Sequence, residues 1–134
     1  MRTISLLLAT TFIATQATAE LRIYTDTPEA CQYAVDIDAE EAPYAVVHEG
    51  NAMILQPWGI DGLEYYCEWD EEIVFDWSET SLQIRPGYCA EPGEYIYPDV
   101  FVIGMSETEP DTAIIWEGQN TSGEGTRFTL CPVE

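Results

Sequence analysis

The chain has 134 residues, with 25 acidic against 4 basic side chains and a net charge of −21. It contains no lysine and one histidine. That excludes Schiff-base chemistry and a lysine-bearing phosphate loop, leaves too few cations to grip a nucleic-acid backbone, and disfavours anionic membrane surfaces.

Residues 1–19 combine Arg2, an apolar run from Ile4 to Ile13 and the small-x-small site Ala17-Thr18-Ala19. This is the pattern of a cleaved secretory signal peptide. The apolar run is about half of the ~20 residues a membrane-spanning helix needs, and no later stretch predicts a span. Residues 20–134 are then expected to form one exported domain, periplasmic or extracellular. Arg2 leaves with the signal, so 25 acids face 3 arginines, a net −22. A chain of this size buries roughly two-thirds of its surface and can build a real core.

Leu21–Thr25 reads as a strand. Thr27-Pro28-Glu29 reads as a helix start, with a short helix over Pro28–Ala34. Asp36–Pro43 is an acidic loop. Tyr44–His48 (YAVVH) and Ala52–Gln56 (AMILQ) read as strands separated by a turn at Glu49-Gly50-Asn51. Asp61-Gly62 is a hairpin signal, and a two-residue turn there pairs Ile60 with Leu63, Trp58 with Tyr65, Gln56 with Cys67 and Ile54 with Trp69. The alternation Leu63, Tyr65, Cys67, Trp69 supports that register, because a one-residue slip would invert the faces. A second hairpin over Asp70–Glu72 would pair Trp69 with Ile73, Cys67 with Phe75 and Tyr65 with Trp77.

Leu82–Arg85 is a further short strand, with Pro86-Gly87 and Pro92-Gly93 marking turns on either side of Cys89. Val100–Ile103 and Ala113–Trp116 are continuous apolar runs, which suit strands buried on both faces or barrel and sandwich strands at a tight corner. Gly118–Gly125 is a polar turn, and Arg127–Cys131 closes the chain as a strand. The sum is an all-β fold, a small antiparallel sandwich or barrel of roughly eight to ten short strands. Its expected core includes Trp58, Leu63, Tyr65, Trp69, Phe75, Trp77, Phe101, Ile103, Ile115 and Phe128.

The four cysteines, Cys31, Cys67, Cys89 and Cys131, form no CxxC and predict two disulfides. Loop entropy favours Cys31–Cys67 with Cys89–Cys131, since the nested pairing needs a loop of roughly 100 residues, although loop entropy grows only slowly with length.

Chemical motifs are scarce. His48 is a lone histidine at a predicted strand end with no GxSxG or comparable serine setting. Asp36–Glu41 (DIDAEE) starts like an EF-hand loop but has Glu41 where glycine is required and Val47 where glutamate is required. Glu68–Glu72 reads as a charged hairpin tip. Asn120-Thr121-Ser122 is a glycosylation sequon. No cofactor and no metal site is expected. Tyr88, Tyr95 and Tyr97 lie between turn signals and are the candidate contact residues.

Tyr65-Tyr66-Cys67, followed 64 residues later by Cys131, resembles the periplasmic inhibitors of C-type lysozyme, whose small β-barrel is closed by a disulfide. The resemblance covers about the last 70 residues. The Ser-Gly-x-x-Tyr inhibitory segment of that family is absent and residues 20–62 have no counterpart, so no functional residue carries over. The reading that fits the sequence best is a non-enzymatic, inhibitor-like binding protein for a cationic partner. The alternatives are an envelope component whose acidity is salt adaptation, and a small carboxylate hydrolase.

Overall fold

The computed structural model describes residues 22–77, 82–118 and 123–132. The predicted signal peptide at residues 1–19 and the Asn120 sequon lie outside them. Eight antiparallel strands close a barrel in sequence order, with β1 (Tyr24–Thr25) hydrogen-bonded to both β2 (Ile54–Gln56) and β8 (Thr126–Leu130). Between them run β3 (Gly59–Asp61), β4 (Tyr66–Trp69), β5 (Leu82–Glu91), β6 (Tyr95–Met105) and β7 (Thr112–Glu117). The all-β expectation is met by a barrel rather than a sandwich.

The expected short helix is present as a 3-10 helix over Pro28–Ala34, with proline in its first turn. Thr27 does not cap it; its hydroxyl donates to Asp26 Oδ1 at 3.1 Å. Tyr44–His48 is not a strand. It belongs to α1 (Ala42–His48), with Pro43 in the first turn. Ala42, Ala45 and Val46 recur at helical spacing and are buried, and Val46 and Val47 pack with Ala30, Ile54 and Cys131. Burial of that stripe against the barrel outweighs the strand preference of two valines.

The chain between Ile54 and Trp69 turns elsewhere than at Asp61-Gly62. Gln56 pairs with Gly59, so Pro57-Trp58 is the two-residue turn, and a longer loop over 62–65 brings Ile60 opposite Cys67. Close packing fixes this register. A Cβ on Gly59 would sit 1.9 Å from the Cys67 carbonyl oxygen, and one on Gly87 would sit 2.1 Å from that of Glu68. Only glycine lets β3 and β5 approach β4 this closely. Pro86-Gly87 is therefore inside β5, with Gly87 opposite Trp69, and only Pro92-Gly93 is a turn, Gly93 having φ +102°. The second predicted hairpin does not form: β4 pairs with β5, and residues 70–77 cross the barrel end as a connector.

The core holds Trp69, Phe101, Ile103, Ile115 and Phe128 as expected, with Tyr65, Phe75 and Trp77 half-buried against it. Trp58 and Leu63 are corrections. At 51% and 48% exposure they lie on the surface, because the displaced turn points them outward.

The disulfides are Cys31–Cys131 and Cys67–Cys89, which corrects the preferred pairing. Cys67 and Cys89 face each other across β4 and β5. Closure of the barrel pairs Tyr24 with Leu130 and lets the Cys131 N–H donate to the Ile23 carbonyl at 2.7 Å. That brings the ends of a 100-residue separation together, with Cα atoms 5.4 Å apart. Native contacts, not loop length, select the pairing.

Candidate binding surface

The described arginines, Arg22, Arg85 and Arg127, are all engaged. Arg85 donates to the carbonyls of Glu71, Glu72 and Ile84 and to Gln83 Oε1, at 2.9–3.2 Å. Arg127 pairs with Glu109 at 3.0 Å, and Arg22 Nη1 reaches the Phe75 carbonyl at 3.5 Å. Arg127–Glu109 is a salt bridge, and three described arginines are far too few to pair most of the described carboxylates.

The three candidate tyrosines gather where β4, β5 and β6 meet, on two different faces. Side chains alternate along a strand, and Tyr88 pairs with Pro98 while Cys89 pairs with Tyr97. Tyr88 is on the outer wall. Its ring meets Tyr66 edge-on at 6.4 Å, and its hydroxyl donates to Glu68 Oε2. That bond to a carboxylate pushes the Tyr88 hydroxyl up to about 12. Tyr95 and Tyr97, with rings 6.1 Å apart, follow the inward parity at the end of the barrel, and Tyr95 is 67% exposed.

Tyr97 leads into a polar group that the sequence did not suggest. Tyr65 donates to Glu117 Oε1 at 3.2 Å and shares a side-chain hydrogen bond with Tyr97. Its oxygen also packs 3.0 and 3.2 Å from the sulfurs of Cys67 and Cys89, which carry no proton to donate. Burial raises the Tyr65 hydroxyl, and the Glu117 charge adds to it. Burial likewise raises Glu117; the Tyr65 bond opposes this, and the Asp99 charge reinforces it. Asp99 is buried. Its Oδ1 accepts the Val100 and Gly118 N–H groups at 2.7 and 3.0 Å, while Oδ2 has no partner among the described residues. Tyr65 and Glu117 are 52 positions apart, so no sequence spacing reveals the group.

A separate cavity of about 650 Å³ lies between α1, β2 and the connector, lined by Ile23, Ile54, Leu55, Phe75, Trp58 and Arg22 among others. Trp58 is held at its lip because the Pro57 carbonyl accepts the Trp69 indole N–H and the Ile73 N–H, both at 2.7 Å. His48 stacks on Tyr44 with ring centroids 4.0 Å apart in an exposed turn of α1. No group of three or more His, Cys, Asp or Glu among the described residues is arranged to hold a metal ion. No described helix is long and apolar enough to cross a membrane.

Comparison with known protein families, with characterised proteins and with solved structures gives no match.

Proposed function

We propose that this chain is an exported, non-enzymatic binding protein whose partner is cationic. One observation carries the reading: 25 acids face three mature-chain arginines, and each arginine is engaged within the fold. A field of one sign on a small, disulfide-bonded barrel steers a basic partner and accelerates encounter. The two disulfides are compatible with an oxidising, extracytoplasmic environment. The test is capture from periplasmic or secreted extract at ~10 mM salt, where screening is weak, and again at ~0.15 M or above. Retention of a basic protein that falls steeply with salt is expected. If no basic protein is retained at ~10 mM, the reading fails.

A second reading has one observation in its favour. Glu117, raised by burial and further by the Asp99 charge, is the kind of carboxyl group that a small hydrolase uses as its acid. Against it, Asp99 Oδ1 is committed to two backbone N–H groups and Glu117 to Tyr65. Glycosidase activity abolished by Glu117→Gln would establish it.

A further inference from the structure

The two long strands are apolar on the side that faces away from the barrel. Along β5 and β6 the odd-numbered residues point inward, where Cys89, Phe101 and Ile103 are buried. The even-numbered residues point outward, and none of them from 82 to 90 or from 96 to 104 is charged. Cross-strand register places Ile84 beside Val102 and Val102 beside Trp116, with Ile114 one pair along on β7. Ile84 and Ile96 are 62% and 66% exposed, and Val100 is 46% exposed. At its start β5 is inverted: Gln83 points inward and is buried, exchanging hydrogen bonds with the Val74 backbone at 3.0 and 2.7 Å, while Ile84 faces solvent. The runs Val100–Ile103 and Ala113–Trp116, which suit either strands buried on both faces or barrel strands at a tight corner, are barrel strands. One of their two faces is left open.

Three strands about 4.8 Å apart, averaging nine residues at about 3.4 Å each, make this wall on the order of 400 Å². A patch of that size matches the largest apolar patch of a typical monomer, which is often functional. Exposed carboxylates border it: Glu68 on β4, Glu91 and Glu94 at the β5–β6 turn, and Glu107 beyond β6. On the β8 side Arg127, opposite Ile114, is neutralised by its ion pair with Glu109. A standard interface takes about 800 Å² from each partner, with an apolar centre and a polar rim. The wall alone would supply about half of that area as the apolar centre, and the bordering side chains would form the polar rim.

We infer that the outer wall of β5, β6 and β7 is the docking surface for the cationic partner, and that this partner presents an apolar centre inside a basic border. The inference rests on the functional reading above and adds to it where the partner sits and what besides charge holds it. Charge complementarity selects this occupant. A second copy set wall to wall would oppose two acidic borders. A bilayer surface carrying anionic lipid would be repelled by the same border. Strands of two to four residues at β1–β4 are also far short of the ~9–11 needed to cross a bilayer.

The experiment compares two peptides of equal positive charge, an oligolysine and an amphipathic leucine–lysine helix, against the wild-type chain and against Ile84→Thr/Val100→Thr. Threonine keeps the β-branched shape and removes apolar surface; near-ultraviolet circular dichroism checks that the barrel is intact. The wild type should bind the leucine–lysine peptide at least tenfold more tightly than oligolysine, and the double variant should lose that preference while binding oligolysine as before. Ile84→Asp should lose the preference too, although it adds negative charge. An unchanged preference in the variants, or none in the wild type, overturns the docking surface and leaves the cationic-partner reading in place. Salt-independent or absent oligolysine binding instead removes the reading itself. Sedimentation of the wild type alone at 0.5 M NaCl and flotation with neutral phosphatidylcholine vesicles complete the set. A dimer, or vesicle binding, abolished by the same substitutions would assign the wall to a second copy or to lipid and overturn the inference.

Discussion

Removing the Cys31–Cys131 bond tests how the barrel is closed. This bond joins the 3-10 helix to the end of β8 across a separation of 100 residues, while Cys67–Cys89 spans 22. Restriction of the unfolded chain scales with the logarithm of loop length. It gives about 4.7 kcal/mol for a 100-residue loop and about 3.4 kcal/mol for a 22-residue one. Single domains are stable by only about 5–15 kcal/mol, so Cys31→Ala/Cys131→Ala should remove a third or more of the total. The seam it guards is thin: β1 meets β8 at only two residue pairs, Tyr24 with Leu130 and Thr25 with Thr129. Urea unfolding followed by tryptophan fluorescence reads the change. The midpoint should fall, and the slope with denaturant should rise because the unfolded chain becomes more expanded. A loss below about 1 kcal/mol, the ordinary range of a surface substitution, would refute the argument that this bond acts through the unfolded state. Peptide mapping that joined Cys31 to Cys67 would refute the barrel closure itself.

Core truncations should rank by burial. Phe101→Ala, at a fully buried ring 5.3 Å from that of Trp69, should cost ~3–5 kcal/mol, and Trp58→Ala under about 1, in thermal or urea unfolding. Phe75→Ala should fall between them, since Phe75 is half-buried and stacked on Tyr24 at 5.0 Å. Glu117 carries a carboxyl raised above its unfolded value by burial. The folded state therefore holds its proton more tightly, and the group disfavours folding above the folded pKa. Stability should rise as pH falls through that pKa toward about 4.5, and Glu117→Gln, whose carbonyl can still accept from Tyr65, should flatten this part of the pH profile. Raising salt from ~0.01 to ~0.15 M shortens the screening length from ~30 to ~8 Å, so the melting temperature should climb; a flat or falling curve would mean that the acids are compensated.

The sequence by itself determined the all-β fold class, a short helical segment at Pro28–Ala34 and half of the expected core. These follow from local chemistry: alternation of apolar residues, turn formers between runs, and proline at a helix start. The tertiary structure alone decided the register at β3–β5, the helix at Ala42–His48 and the disulfide pairing. Each depends on what lies across a gap. Gly59 and Gly87 matter because the β4 backbone passes beside them, Val46 is helical because a stripe one side wide must be buried, and Cys31 meets Cys131 because β1 closes on β8. The candidate surface divides in the same way. Val100 and Ile114 lie in plain apolar runs and Ile84 alternates with Gln83 and Arg85, but whether such residues are covered on both faces or open on one is fixed only by the fold. Burial belongs to the assembled layers, and a sequence specifies which side chains prefer cover without specifying which molecule provides it.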